Sequence, residues 1–356
     1  MKIAIDVSQI TADKAGIEYY TFELTKSLIG IENKNQIVLI SNKKEYLDQY
    51  PNKGNVAKKL ISQNRPNLIW MIRAALWMRL NKVDTLISPS YLTFGFLFPG
   101  TIQVIHDLTL ITNPEFFDEK VSKKFKRQMD FAVKYIRKLV TISNTTKKVL
   151  NKLYPTTINK SEYIGIGIND WALKDREENQ LNLPDKYIVS ISTLQPRKNY
   201  INMIKGFEIF SKNNPEYKYI IVGKKGWYYE EIFKLVKERF LEDKVIFYGY
   251  ANETDLPELI DRSSTLLYCS LEEGFGMPAI EAYARGIPVV VSDIEIFHES
   301  MEDKAKFADP NSPADISQKL SASVNTLAKV DRKFLEKYSW LNVAKRIQSV
   351  YSSMTQ

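Results

Sequence analysis

The feature that most constrains the fold of this chain is the stretch at residues 270–286, which lies between two apolar runs. The run before it, at 266–269, predicts a buried strand, and the run after it, at 287–292, predicts a second strand because it is rich in β-branched residues. Pro278 suits the first position of a helix, where a missing N–H loses no hydrogen bond, and Gly286 suits the left-handed residue just past a helix end. The sequence therefore predicts a strand, a glycine loop, a short helix and a strand in succession, as in α/β proteins.

Two carboxylates stand eight positions apart in this stretch, Glu273 in the loop and Glu281 in the helix. Gly274 and Gly276 leave the backbone open to a ligand, and the start of a helix directs free N–H groups at an anion. The alternative is that Glu281 only offsets the helix dipole and that the glycines only turn the chain. The combination of carboxylates, glycines and Pro278 favours a binding loop.

This pattern resembles the E-x7-E signature of the retaining glycosyltransferases of family 4, which have the GT-B fold. The resemblance runs from residue 1 to residue 351 and is strongest in 187–299. It implies that Gly274, Phe275, Gly276 and Met277 hold the transferred sugar of a nucleotide-sugar donor. It also implies that Glu273 contacts this sugar at the catalytic centre and that Glu281 holds the ribose.

Two residues in the first half of the chain join the predicted site. The run 101–105 predicts a strand, and His106 follows it at the carboxyl end, where ligands bind in open α/β sheets. Gly16 lies in the turn between a strand at 3–7 and a helix that begins at Ile17. The resemblance implies that His106 is a catalytic residue facing the donor sugar and that Gly16 belongs to a glycine loop near the substrate. Glu18 stands where the family usually has an arginine.

Adjacent cations follow the strand predicted at 187–192, because Arg197 and Lys198 precede a helix there. The planar fork of arginine and the point charge of lysine suit a diphosphate, although a solvated surface pair is the alternative. The resemblance implies that both bind the diphosphate of the donor. Since no Asp-x-Asp occurs in the sequence, we expect these cations to neutralise the leaving group without a metal and without a cofactor.

A chain of 356 residues is long enough for two domains with separate cores. The predicted domains are an acceptor-side domain at 1–169 and a nucleotide-sugar-binding domain at 170–335, which begins with a charged linker at 170–184. A C-terminal helix at 336–356 is expected to return to the first domain. The resemblance implies two Rossmann-like α/β domains that face each other across a cleft.

The single cysteine and the N-terminus bear on location. Cys269 lies in an apolar strand, so an internal disulfide is impossible and a reducing compartment is favoured. The first residues lack the layout of a signal peptide, and no apolar run reaches the roughly 20 residues of a membrane span. We therefore expect a cytoplasmic protein.

The basic residues are concentrated in the first half of the chain. Residues 1–169 carry 25 Lys and Arg against 14 Asp and Glu, whereas residues 170–356 carry 25 against 28. The segment from Lys120 to Lys138, predicted as a helix, holds eight of these cations. Because no stacking-rich recognition motif accompanies them, nucleic acid is not the expected partner. We expect instead that this helix attracts an anionic membrane surface and holds the protein at the inner face of the membrane.

Residues 67–80 predict an amphipathic helix with Arg73 and Arg79 outside its apolar stripe. The stripe consists of Leu68, Ile69, Ile72, Leu76 and Leu80. We expect the stripe to face the core, because each layer of an α/β domain needs such a face. The alternative, a helix on a membrane surface, is suggested by Trp70 and Trp77.

Taken together, the residues and the resemblance predict a retaining, metal-independent glycosyltransferase. The acceptor is expected to be a glycan or a polyprenyl-diphosphate-linked glycan in surface polysaccharide biosynthesis. The sequence resembles bacterial mannosyltransferases of surface polysaccharide biosynthesis, and this resemblance favours GDP-mannose as the donor. A UDP-sugar is the close alternative, and a nucleotide-sugar epimerase of the same fold is a more distant one.

Overall fold

The computed structural model describes residues 1–10, 16–90, 94, 97–174 and 181–354, which form two compact units. Unit 1 consists of residues 1–114, 118–167 and 337–356, and unit 2 consists of residues 115–117 and 168–336. Residues 175–180, inside the linker predicted at 170–184, lie outside the described residues.

Each unit is built on one sheet of parallel strands. The described strands of unit 1 are β1 (Lys2–Asp6), β2 (Gln36–Ser41), β3 (Val56–Leu60), β4 (Thr85–Ser88), β5 (Thr101–Ile105), β6 (Lys138–Thr141) and β7 (Ser161–Tyr163). Those of unit 2 are β8 (Tyr187–Ile191), β9 (Lys218–Val222), β10 (Val245–Gly249), β11 (Thr265–Tyr268), β12 (Val289–Ser292) and β13 (Lys306–Ala308).

The α-helices connect these strands and cover the sheets. In the described residues they are α1 (Ile17–Ile31), α2 (Lys44–Asp48), α3 (Leu68–Leu80), α4 (Thr109–Thr112), α5 (Glu119–Tyr135), α6 (Asn144–Leu153), α7 (Asp170–Leu173), α8 (Tyr200–Asn213), α9 (Glu230–Glu238), α10 (Asp255–Asp261), α11 (Met277–Ala284), α12 (Glu295–Met301), α13 (Pro313–Ser323), α14 (Arg332–Leu335) and α15 (Trp340–Ser353). Short 3-10 turns lie at Pro114–Phe116, Pro155–Thr157 and Pro196–Lys198.

The strand order reverses once in each sheet. The order is β3-β2-β1-β4-β5-β6-β7 in unit 1 and β10-β9-β8-β11-β12-β13 in unit 2. The reversal therefore lies between β1 and β4 in one sheet and between β8 and β11 in the other. Ligands of open α/β sheets bind outside the carboxyl ends of the strands at such a point. The prediction of two Rossmann-like α/β domains is confirmed.

Three strands that the sequence analysis did not predict lie at sheet edges. They are β3, β7 and β13, and β3 falls in a basic, polar stretch of the chain. An edge strand pairs on one side only, and short, charged edges limit further pairing. Such strands therefore lack the continuous apolar pattern by which the central strands were predicted.

The last helix packs on unit 1, where α15 lies against α1. At its end, the Tyr351 hydroxyl and the Gln348 amide both donate to the Glu32 carboxylate, the latter at 3.2 Å. Burial would raise the pKa of Glu32, but hydrogen bonds from Tyr351, Asn35 and the Lys34 backbone lower it to about 2. At the other end of the helix, Gly167 leaves room for Trp340, whose ring would lie 2.4 Å from an added Cβ.

The prediction that the apolar stripe of α3 faces the core is wrong. Leu68, Ile69, Ile72, Leu76 and Leu80 are all exposed, from 41% to 82%. The opposite side of the helix is buried, and it carries Trp70, Met71, Ala74, Ala75 and Met78. The reason is that α3 is apolar on both sides and that the Trp70 side makes the better contact. Its small alanines permit close packing, and its indole Nε1 donates to the Ile61 carbonyl at 2.9 Å.

The basic segment predicted as one helix from Lys120 to Lys138 is shorter in the structure. Helix α5 ends at Tyr135, so Arg137 and Lys138 lie outside it, and Lys138 begins β6 and pairs with Glu162. Ile136 ends the helix because its backbone turns to an extended conformation that leads directly into the strand. Six cations remain exposed along α5, and they are Lys120, Lys123, Lys124, Lys126, Arg127 and Lys134.

Candidate active site

The predicted donor residues of unit 2 lie at the point where the strand order reverses. β8 and β11 are hydrogen-bonded neighbours, and the loops that leave their carboxyl ends carry the 3-10 turn Pro196–Lys198 and residues 269–276. The Leu271 amide donates to the Arg197 carbonyl at 2.8 Å, which ties the two loops together. Asn199, in a left-handed conformation with φ of 61°, donates to the Cys269 carbonyl at 2.9 Å. The sheet order thus brings together residues about seventy positions apart in sequence.

A buried ion cluster joins the predicted diphosphate residues to Glu273. The Lys198 ammonium and the Arg197 guanidinium each contact a different oxygen of the Glu273 carboxylate, the arginine at 3.4 Å. The side chains of Glu273, Lys198 and Arg197 are 7%, 8% and 17% exposed. Lys198 also donates to the Tyr268 hydroxyl at 2.8 Å, a contact that the sequence analysis missed. The structure therefore places three predicted site residues in direct contact.

The charge state of this cluster follows from its contacts. Burial alone would raise the pKa of Glu273, but the charges of Lys198 and Arg197 lower it to about 2. Glu273 is therefore ionised at neutral pH and offsets one of the two positive charges. The Tyr268 phenol stays neutral, because burial and the nearby Glu273 carboxylate raise its pKa. The cluster keeps one surplus positive charge, which suits an anionic ligand.

The glycine loop presents its backbone at the start of α11. Gly276 has a φ of 92°, and an added Cβ would lie 2.4 Å from the Phe297 ring, so only glycine fits there. Gly274 and Phe275 are buried, while Met277, the first helical residue, is partly exposed. The helix begins at Met277, so Pro278 is its second residue and not its first as predicted. Gly286 follows the helix end with a φ of 80°, as the sequence predicts.

Glu281 occupies a different environment from Glu273. It is buried, and its Oε1 accepts a hydrogen bond from the Asn169 amide at 2.7 Å. Burial raises the pKa of Glu281 to about 7, and the hydrogen bond from Asn169 only partly opposes this. Asn169 stands more than a hundred positions earlier in the chain, at the end of the predicted first domain, and no sequence signal pointed to it.

The two predicted site residues of the first half, Gly16 and His106, belong to unit 1. Gly16 precedes α1 with a φ of 43°, and no atom lies within 4 Å of an added Cβ, so its conformation and not crowding favours glycine. His106 is buried, and its Nε2 bonds the Pro89 carbonyl at 2.6 Å. The Tyr20 ring packs edge-on against it at 4.8 Å. Burial lowers the pKa of His106, which keeps the imidazole neutral.

A further buried carboxylate in unit 1 was missed by the sequence analysis. Asp6 ends β1, beside the reversal of strand order, and is 1% exposed. Its Oδ1 accepts from the Ser8 amide at 2.9 Å, and its Oδ2 has no hydrogen-bond partner among the described residues. Burial raises the pKa of Asp6 to about 6. The available signal was an acidic residue directly after the apolar run of a first strand.

Comparison with known proteins assigns the second half of the chain. Residues 172–332 match the family described as "Glycosyl transferases group 1". This matched segment, which we call the group 1 domain, is similar to these glycosyl transferases. The group 1 domain includes Arg197, Lys198, the glycine loop and both glutamates, whereas Asn169 and the residues of unit 1 lie outside the matched segment.

Relatives of known role extend the similarity beyond the group 1 domain. The chain is 28% identical over 321 residues to the O-antigen chain mannosyltransferase RfbU of Salmonella typhimurium, covering 86% of each protein. It is 24% identical over 349 residues to the O-antigen chain mannosyltransferase B of Escherichia coli, covering 91% of each. Among solved structures, the Anabaena protein HepE in complex with UDP and glucose superposes with a TM-score of 0.77 at 15% identity, covering 99% of this chain and 100% of HepE. The last comparison bears on fold alone and agrees with the predicted GT-B class.

The raised pKa of Glu281 generates a prediction about stability. A carboxyl group whose pKa rises from 4.5 to about 7 on folding contributes stability that is fully present below pH 4.5 and is lost as the pH rises through 7. The loss is on the order of 3 kcal/mol, because each pKa unit corresponds to about 1.4 kcal/mol. The Glu281→Gln variant lacks this titration. In urea unfolding, the difference between its free energy of unfolding and that of the wild type should therefore rise between pH 4.5 and 7 and stay constant above pH 8.

The matched control for this measurement is Glu253→Gln, at an exposed carboxylate of unit 2. This variant should follow the wild-type profile. Parallel profiles for the wild type and Glu281→Gln across the whole range would show that Glu281 does not carry the shifted proton.

Proposed function

We propose that the protein is a retaining glycosyltransferase that transfers mannose from GDP-mannose to a glycan or lipid-linked glycan acceptor in surface polysaccharide biosynthesis, acting in the cytoplasm. The observation that carries the proposal is the buried cluster of Arg197, Lys198 and Glu273 inside the group 1 domain. Two O-antigen mannosyltransferases that match most of the chain support the sugar and the class of product.

The cation pair would act on the leaving diphosphate. As the bond to the sugar breaks, negative charge grows on the diphosphate, and fixed positive groups in a buried site stabilise it strongly. Lys198 and Arg197 lie at the carboxyl ends of neighbouring strands, and the backbone at Gly276 and Met277 opens the N-terminus of α11 beside the same loop. This arrangement supplies charge compensation from the chain itself, so the proposed reaction requires no metal.

Glu273 would hold the sugar and not attack it. Both of its oxygens are engaged by cations, and a pKa of about 2 makes it a weak nucleophile. An ionised carboxylate accepts hydrogen bonds only, which suits it to the hydroxyl groups of a hexose. The arrangement supports retention by attack of the acceptor from the side of the leaving group.

Glu281 would bind the ribose of the donor. Two ribose hydroxyls can donate to a carboxylate, and this requires the ionised form. In the free protein Glu281 is about half protonated at pH 7, so binding of the ribose would release its proton. His106 and Gly16 complete the proposal from unit 1, the histidine as a neutral hydrogen-bonding group toward the sugar.

The donor is tested by a panel of nucleotide-sugars scored for release of nucleoside diphosphate, with and without a lipid-linked glycan acceptor. We expect GDP-mannose with acceptor to give the fastest release, at least about tenfold above the UDP-sugars, since a site that hydrogen-bonds one base and sugar leaves polar groups unpaired with another. Fastest release from a UDP-sugar would replace GDP-mannose as the proposed donor. Epimerised sugar without transfer would contradict the class.

The diphosphate assignment predicts the effect of removing a cation. Arg197→Ala and Lys198→Ala should each lower kcat/KM by about ten- to a hundredfold, because a hydrogen bond to a charged group contributes about 1.5–3 kcal/mol. The matched control is Arg239→Ala, which removes an exposed cation of unit 2 that pairs with Glu208 at 3.8 Å, and it should keep wild-type activity. Melting curves separate loss of binding from loss of fold. Near-normal turnover in both site variants would remove the assignment.

The same assignment predicts the response to chelation. If Arg197 and Lys198 compensate the diphosphate, turnover of GDP-mannose should remain within about twofold of its starting rate after dialysis against EDTA, since no metal contributes to the barrier. The measurement is initial rate before and after chelation. A rate that EDTA abolishes and Mg²⁺ or Mn²⁺ restores would contradict this account of the leaving group.

A further inference from the structure

The outward face of α3 in unit 1 carries an exposed row of large aliphatic side chains. The row consists of Leu68, Ile69, Ile72, Leu76 and Leu80. Four of them, Leu68, Ile72, Leu76 and Leu80, are spaced four residues apart, and Ile69 is next to Leu68. The row therefore forms one stripe along the helix. The inward face is also apolar, and a helix that is apolar on all sides is ordinarily buried or in contact with a membrane. Only one of the two faces of α3 is covered in the structure.

The charged residues near this face in sequence are all basic. Residues 49–83 contain seven Lys and Arg and no Asp or Glu. Four of these cations are exposed on α3 or within a few residues of its ends, and they are Arg65, Arg73, Arg79 and Lys82. Long basic side chains at the border of an apolar stripe can extend toward phosphate groups while their stems stay among apolar groups. The pattern is that of a helix lying in the interface of an anionic bilayer.

The basic helix α5 lies on the same side of the sheet. Leu86 of β4 packs against α3 and pairs with Thr101 of β5. Ile105, four residues along β5 and therefore on the same face, packs against α5 together with Leu139 of β6. The two helices thus belong to one layer, and both turn their exposed sides away from the sheet.

The α5 cations by themselves are a weaker candidate for membrane attachment. Lys123 pairs with Glu119 at 2.5 Å and Lys126 pairs with Asp130 at 3.3 Å, so two of them are partly neutralised on their own helix. Residues 49–83, which include α3, contain no Asp or Glu. The exposed face of α3 also carries five large aliphatic side chains, whereas α5 exposes three large apolar side chains, Val121, Phe131 and Tyr135. In the part of the chain that the structure describes, none of the helices has the length and apolar character of a membrane span.

We propose that the outward face of α3 is the surface by which unit 1 binds an anionic lipid bilayer. The five aliphatic side chains enter the acyl boundary, the flanking arginines bind lipid phosphates, and α5 adds a longer-range attraction. A second copy of the chain fits this face less well, because a symmetric contact would oppose two identical cationic surfaces. The proposal does not rest on the donor chemistry, because the surface lies in unit 1 and binding is measured without turnover.

The test is sedimentation of the full chain with vesicles of phosphatidylcholine alone or mixed with phosphatidylglycerol. We expect binding to the mixed vesicles at low salt and weaker binding at high salt, because the cationic contribution is screened. The double variant Ile72→Ser and Leu76→Ser removes two aliphatic groups from the centre of the stripe. It should weaken binding about tenfold or more, since each lost apolar contact reduces partition into the interface.

The matched control is the double variant Phe240→Ser and Leu327→Ser, which removes two highly exposed apolar side chains from unit 2. It should bind vesicles as the wild type does. As a second readout, Leu76→Trp keeps the site apolar and should add a fluorescence component that shifts to the blue with the mixed vesicles. Melting curves check that each variant is folded.

Several outcomes would overturn the proposal. A wild-type protein that ignores phosphatidylglycerol vesicles at low salt has no such surface. A folded α3 variant that binds like the wild type would leave α5 or another region as the attachment surface. Self-association that the α3 substitutions abolish, in a protein that binds no vesicles, would assign the face to a second copy of the chain.

Discussion

The candidate active site depends on one buried ion pair, formed by Lys198 and Glu273. Lys198 follows β8 and Glu273 follows β11, and these strands are neighbours because the strand order reverses between them. Each charge is tolerated in its buried position because the other compensates it, and removing one partner of such a pair leaves an uncompensated charge. The pair therefore couples the two loops, in addition to the backbone hydrogen bond between Leu271 and Arg197. The positions of Arg197 and of the glycine loop follow from it.

Much of this site could be predicted from local sequence, and the missing parts share one physical reason. Adjacent cations after a strand and a carboxylate in a glycine loop are local patterns, so Arg197, Lys198 and Glu273 were found before their contacts were known. Their companions are defined only by the fold. Asn169 reaches Glu281 across 112 positions and Tyr268 reaches Lys198 across 70, and no local pattern encodes such contacts. The central strands were predictable from their apolar runs, whereas the edge strands β3, β7 and β13 were not.

Helix α3 shows where periodicity fails as a guide. A repeat of apolar residues identifies the buried face only when the other face is polar. In α3 the residues at Leu68, Ile72 and Leu76 repeat as regularly as those at Trp70, Ala74 and Met78, so the pattern could not choose between them. Packing made the choice, through small residues against the sheet and an indole hydrogen bond that only one orientation allows. Folding of unit 1 therefore does not explain why the exposed face of α3 is apolar.

The two glutamates of the 270–286 stretch divide the proposed site into ends with different responses to pH. Glu273 is compensated by two cations and keeps its charge far below neutral pH, so contacts at the diphosphate and the sugar should not titrate near pH 7. Glu281 is buried and accepts a hydrogen bond from the Asn169 amide, and no cation among the described residues lowers its pKa of about 7. Ionisation is therefore part of any contact with ribose hydroxyls. A ligand that contains a ribose must therefore displace a proton from Glu281, and no such proton is displaced at Glu273. If the ribose contact with Glu281 contributes to binding, donor affinity should rise as the pH increases through 7. If binding depends on the cluster around Glu273 alone, donor affinity should stay constant over this range.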